Sequence, residues 1–384
     1  MSEFDFTTPL DRRVHPSTRW QQFDEDVLPL WVADMDFAVA PVIQQALAAR
    51  LAHPVFGYAH PDAALTQALC DWSESHYDWP IEADWQQWLP GVVPALHVAS
   101  LALTDPGDGV LTVTPIYPPF LHVAENTGRT AQSAPMREPT ADDPHWRLDF
   151  EALEAAVTPD TRLLLWCHPH NPTGRVFDAK ELRRLADFIE RHELLVCSDE
   201  LHCDLILDGE AHTPLVKAEP RLASRTITLW AASKTFNVAG LTSACAVIAD
   251  PALRQRFRRG CLGLMPSHNI MGQTAARAAY SGGEGWRQAL LAQLRDNRAL
   301  IVERAARWPG VRLTAPEATF LAWLDLREAG LGESPRQKLL DEARVALNDG
   351  ADFGWPGFAR LNFGTERERL VEALDRLDTL LLPQ

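Results

Sequence analysis

Hydrophobic positions along the chain follow two rhythms. Short unbroken apolar runs recur at Gly109-Val-Leu-Thr-Val-Thr114, Thr161-Arg-Leu-Leu-Leu-Trp-Cys167, Leu194-Leu-Val-Cys-Ser-Asp199 and Arg225-Thr-Ile-Thr-Leu-Trp230. Runs of this length read as strands covered on both faces. A helical rhythm intervenes at Leu182, Leu185, Ala186 and Ile189, behind the capping-box signature Asp178-Ala-Lys-Glu181. Strand, turn, helix and strand in that order form the βαβ unit of a parallel sheet. Further helices are predicted from Pro41 to Leu51, from Ala63 to Ser75, and from Pro94 to Leu103 after a short strand at Trp88–Val93.

Past Arg259 the texture changes. Gly282-Gly-Glu-Gly285 interrupts the chain, a long helix follows from about Trp286 to Ala306, and strand-like Thr319–Leu326 and Phe358–Phe363 come next. A terminal helix carries Leu370, Leu374, Leu377 and Leu381 on one stripe. The expected architecture is α/β. A large domain over residues 42–280 holds a mostly parallel central sheet between helices, and residues 1–41 and 281–384 form a smaller α+β domain.

Polar residues collect where the predicted strands stop, the edge at which open α/β sheets bind ligands. Asn171 lies in the turn His168-Pro-His-Asn-Pro-Thr-Gly174, Asp199 closes its strand, and Lys234 follows Trp230 at the start of a loop, between Ser233 and Thr235. A lysine among small and apolar neighbours is partly desolvated, which favours the neutral amine and suits a Schiff-base nucleophile. Free N–H groups near Val92 to Ala95, at the start of a helix, form a ready anion site. Tyr117 sits in the proline-stiffened segment Pro115–Phe120. Cys167, His168 and His170 lack a fourth ligand at suitable spacing, so no metal is expected there.

Composition narrows the partners. The 384 residues are 46% hydrophobic and 23% charged, as in ordinary globular proteins, and a length of this order implies two domains. A net charge of −16 without any basic run argues against nucleic acid and anionic membranes. The first residues are acidic rather than signal-like, and no apolar run is long enough to span a bilayer. Six cysteines without a C-x-x-C pair read as buried thiols of a reducing compartment, hence the cytoplasm.

Six strings in order along the chain carry a resemblance: Trp31-Val-Ala-Asp-Met-Asp-Phe37, Phe56-Gly-Tyr58, His168–Gly174, Ser198-Asp-Glu-Leu-His202, Ser233-Lys-Thr-Phe-Asn-Val-Ala-Gly-Leu241 and Arg360-Leu-Asn-Phe-Gly364. Asn171, Asp199 and Lys234 are 28 and 35 residues apart, as in the same group. The chain resembles fold-type I pyridoxal-phosphate enzymes of the class I/II aminotransferase superfamily, more narrowly the cystathionine β-lyase/C–S lyase branch (MalY/PatB type). The resemblance implies pyridoxal 5′-phosphate as cofactor, bound in the large domain. Lys234 would hold its aldehyde and then remove the substrate Cα proton; Asp199 would pair with the ring nitrogen. Asn171 would donate to the ring 3-oxygen near the substrate, and Tyr117 would lie on or beside the ring. Backbone N–H groups of Val92 and Val93, with the Ser233 hydroxyl, would hold the phosphate. Tyr58 would reach the phosphate and substrate of a neighbouring subunit, implying a homodimer with shared sites. Arg360 would clamp the α-carboxylate of an amino-acid substrate. By residue type alone, Arg360 also fits a surface strand and Tyr58 plain interface packing.

Two positions depart from aminotransferase relatives. Ala231 replaces a frequent hydroxyl, and Thr242 stands where many have a basic phosphate ligand, so the phosphate should lean on backbone and Tyr58. Asp34 and Asp36 receive no chemistry. The implied reaction is α,β-elimination of an S-substituted cysteine such as cystathionine, a step linked to methionine biosynthesis, giving thiol, pyruvate and ammonia. An aminotransferase with the same residues is the first alternative. A pyridoxal-phosphate-holding regulatory protein is the second, although the basic helix-turn-helix extension such a regulator needs is absent from the sequence.

Overall fold

The computed structural model describes residues 4–209, 211–332 and 334–383. Its main sheet has seven strands: β1 (Gln86–Leu89), β2 (Gly109–Thr114), β3 (Thr130–Pro135), β4 (Thr161–Cys167), β5 (Leu195–Asp199), β6 (Thr226–Trp230) and β7 (Ala244–Val247). Their order across the sheet is β1-β7-β6-β5-β4-β2-β3. All neighbours run parallel except β7, which is antiparallel to both β6 and β1.

Alternation along β4 explains why the sheet is covered on both sides. Leu163, Leu165 and Cys167 join a core that includes Leu96, Val98 and Phe257. Leu164 and Trp166 point into a second core with Leu182, Leu185 and Ile189. Burying each such leucine contributes about 1.5–3 kcal/mol, and a strand apolar on both faces gains on both. The second core is closed by helix Ala179–Arg191, whose start carries the full Asp178/Glu181 capping box. β3 was not legible as a strand. Its residues are mostly exposed at the sheet edge, so it lacks a buried apolar run.

The second sheet contains β8 (Arg312–Leu313), β9 (Leu321–Asp325), β10 (Asn348–Asp349) and β11 (Phe358–Asn362), in the antiparallel order β10-β11-β9-β8. Helix Glu284–Ala305 and the terminal helix Arg367–Leu381 accompany it, the latter burying Leu370, Leu374, Leu377 and Leu381. The N-terminal segment joins this part through parallel pairing of Leu28–Pro29 with Val345–Ala346.

Three local expectations need correction. The strand expected over Trp88–Val93 stops at Leu89, and the helix expected from Pro94 starts at Val92. Lys234 lies in a short helix, Ala232–Thr235, rather than a loop. The segment Pro115–Phe120 is irregular only as far as Tyr117: Pro118 opens helix Pro118–Asn126 with Tyr117 as its N-cap, prolines at the first helical positions costing no hydrogen bond.

Candidate active site

The carboxyl ends of β4, β5 and β6 open onto a cavity of about 230 Å³. Asn171, Asp199, Lys234, Tyr117, Val92, Val93 and Ser233 all line it. Three strands from distant parts of the chain thus deliver an amide, a carboxylate and an amine to one space.

Lys234 Nζ donates to the main-chain carbonyl of Ala33 at 2.7 Å. Burial lowers the pKa of this amine to about 8, helped by the positive charge of Arg360 and opposed by Asp34 and Asp199. Asp199 moves the other way. Burial raises it to about 7, against the Leu201 N–H that bonds Oδ1 at 3.0 Å and against Lys234, while Glu200 adds to the rise. An amine that sheds its proton readily and an acid that holds one readily face the same cavity, an environment-driven division typical of catalytic pairs.

The helix Val92–Leu103 points its start at this cavity. Its N-cap, Gly91, offers no side-chain acceptor, and the first backbone bond runs from Ala95 N–H to the Gly91 carbonyl at 3.3 Å. The N–H groups of Val92 and Val93 therefore precede the helical ladder and suit an anion. Thr242, held in the left-handed region at φ 46°, and Ser243 add hydroxyls to the lining.

Arg360 is almost wholly buried on β11. Nη1 donates to Asn171 Oδ1 at 2.9 Å, while Nη2 donates to Asn348 Oδ1 at 2.7 Å and to the Trp31 carbonyl at 3.1 Å. Burial brings its pKa down to about 10. Tyr117 is partly buried, and burial raises its phenol, opposed by Arg360 and supported by Asp199. It stays neutral at physiological pH.

This donor set fits a phosphorylated pyridine aldehyde. It provides a neutralisable amine, a buried carboxylic acid and free helix-start N–H groups for a phosphate; the Arg360 guanidinium does not line the cavity itself but joins it through Asn171.

Several contributors escaped sequence reasoning. His202 lines the cavity; burial holds it near pKa 3 and hence neutral, and Lys234 and Arg360 act in the same direction. It lies within a string already singled out, but histidine at that place announced no role. Asn237 adopts φ 57°, and its side chain bonds Met35 N–H and the carbonyls of Met35 and Phe37 at 2.8 to 2.9 Å. Asn362 bonds the carbonyls of Val32 and Asp34. Together they pin the Trp31–Phe37 strip over Lys234. Asp34 and Asp36 lock the strip from outside. Asp36 is buried against Arg19 at 3.0 Å, Arg12 at 3.0 Å and the Trp20 ring N–H at 2.8 Å. Burial alone would raise its pKa, but Arg19, Trp20, Arg369 and Arg12 together hold it below the ordinary carboxylate value.

Tyr58 is not brought to the cavity of its own chain. It is 96% exposed, near the exposed Val55 and Phe56.

A two-sheet α/β scaffold with lysine and aspartate at adjoining strand ends defines a class, and the chain belongs to the aminotransferase class I and II family, which it matches over residues 25–377. The cystathionine beta-lyase PatB of Bacillus subtilis (strain 168) is 36% identical over 95% of this chain and 96% of that protein. Among solved structures, that of OvoB superposes with a TM-score of 0.95 at 40% identity, covering 99% of this chain and all of that one. Cystalysin from Treponema denticola, which contains a pyridoxal 5′-phosphate cofactor, gives 0.93 at 31% identity over 98% of each chain.

Proposed function

We propose that this protein is a pyridoxal-phosphate-dependent carbon–sulfur β-lyase that eliminates the thiol from S-substituted cysteines such as cystathionine, leaving pyruvate and ammonia. The observation that carries the reading is the meeting of Lys234, Asp199, Asn171 and the Val92 helix start around one cavity, beside a guanidinium with no carboxylate of its own. The similarity to PatB directs the choice of reaction within the family.

The cofactor, when bound, withdraws electrons from the substrate Cα so that its C–H and the β C–S bond can break. Everything else falls to the chain. Val92 and Val93 N–H groups and the Ser233 hydroxyl would hold the phosphate. Asp199 would keep a proton at the ring nitrogen. Asn171, whose Oδ1 accepts from Arg360, would offer its Nδ2 amide to the ring oxygen. Arg360 would bind the substrate carboxylate, and Tyr117, which lines the cavity, would wall the ring. Lys234 takes the Cα proton at Nζ, a task suited to an amine with a pKa of about 8.

The working form is a homodimer in which Tyr58 serves the neighbouring site. Support comes from its near-complete exposure in the single chain and from Leu51, Val55 and Phe56 exposed close by in sequence. All six cysteines are free, which suits the cytoplasm, and no helix among the described residues is long and apolar enough to cross a membrane.

The test is cystathionine given to the holoenzyme with no keto-acid acceptor present. Pyruvate and free thiol in equal amounts support the lyase. A strict requirement for a keto acid assigns transamination instead.

A further inference from the structure

Among the described residues four arginines are buried: Arg19, Arg175, Arg254 and Arg360. Three have a carboxylate at hand: Arg19 with Asp36 at 3.0 Å, Arg175 with Glu181 at 2.6 Å, and Arg254 with Asp84 at 2.8 Å. Arg360 has none, in a chain of net charge −16. Three of its five donors go to neutral oxygens, Nε is buried without an acceptor, and the guanidinium lies 4.8 Å from the Phe353 ring. A buried cation without a counter-ion is costly, and such an arrangement persists where a ligand supplies the missing charge.

Asn348 is the neutral partner that could most easily have been charged. Cross-strand register sets it directly opposite Arg360, β10 against β11, and its Oδ1 accepts the shortest of the three bonds at 2.7 Å. Aspartate has the same shape and places an oxygen in the same position. It would orient Nη2 equally well but neutralise the fork in advance.

We propose that Asn348 is a positioning and specificity-determining residue whose amide orients Arg360 while leaving the guanidinium charge available for the substrate α-carboxylate. The proposal rests on the substrate-carboxylate role given to Arg360 above. A purely structural Asn348 would only tie β10 to β11, and aspartate would do that as well or better.

The two roles predict opposite orders of KM in the holoenzyme. With Asn348→Asp, KM for cystathionine rises about tenfold or more while kcat at saturation stays within about twofold, since the substrate carboxylate meets a guanidinium whose charge is already neutralised. With Asn348→Ala the rise is smaller, about threefold, because orientation is lost but charge is kept. The Ki of propionate, a carboxylate without the amine, moves by the same factors and reads the guanidinium apart from the chemistry. Melting temperature should hold or rise in Asn348→Asp. The proposal is overturned if Asn348→Asp behaves as wild type while Asn348→Ala is impaired. An Arg360→Ala variant separates the two levels. If it leaves KM unchanged, the carboxylate role itself is wrong; if it raises KM while Asn348→Asp does not, only the role of Asn348 fails.

Discussion

Lys234 Nζ and the carbonyl of Ala33, 201 positions apart in sequence, are joined by a 2.7 Å hydrogen bond. The bond ties the amine, in the short helix that follows β6, to a strip held against the second sheet by Asn362 and Arg360. The resting position of the lysine therefore depends on how the two parts of the chain meet.

On the proposed function, replacing Lys234 by alanine removes both the anchor for the cofactor aldehyde and the proton acceptor. Turnover should fall by at least about 10²–10⁴-fold, the span of general acid–base catalysis. Borohydride reduction followed by mass spectrometry should add the cofactor to the wild-type chain and not to the variant. An adduct on another lysine would refute the assignment.

Asp199 makes the cofactor-free protein sensitive to pH. Its folded pKa of about 7 lies above the 3.8 of an ordinary aspartate, so folding favours the protonated acid. The resulting stability is complete below pH 3.8 and is lost as pH rises toward 7, at about 1.4 kcal/mol per unit. Asp199→Asn cannot ionise. Its apoprotein should melt above wild type at pH 8 and close to it at pH 4, while the holoenzyme loses activity. Equal melting temperatures for the two apoproteins at pH 8 would contradict this account.

Asn237→Ala removes three hydrogen bonds to the strip and leaves a side chain that tolerates φ 57° poorly. Thermal unfolding should register a loss of about 1–3 kcal/mol, with cofactor affinity weakened alongside. Asn237→Gly relieves the backbone strain and should recover only part of the loss.

Shared sites would appear in mixtures. Lys234→Ala and Tyr58→Ala chains, each impaired alone, should regain activity when co-refolded, because one site of the mixed dimer has both residues intact. Activity that never exceeds the sum of the two parents would place Tyr58 outside the chemistry.

How far the sequence carried each part follows from where its signals lie. β4, β5 and β6 were legible because strands buried on both faces leave unbroken apolar runs, and Asn171, Asp199 and Lys234 followed from the strand ends. β3 was not, since an edge strand with exposed faces leaves no such run. The helical state of 232–235 was hidden because a single turn has no periodicity to display. His202, Asn237 and Asn348 stayed without roles, as each acts through contacts with residues remote in sequence.

The amino-acid sequence by itself determined the α/β pattern, the residues at the strand ends and the family resemblance, because local periodicity and short spacings record what neighbours along the chain must do. Only the tertiary structure decided that Arg360 lacks a counter-ion, that the neutral amide of Asn348 lies against its guanidinium, and that the Ala33 carbonyl holds Lys234. Burial and pairing between segments far apart along the chain are fixed only when the two sheets and the strip between them pack together.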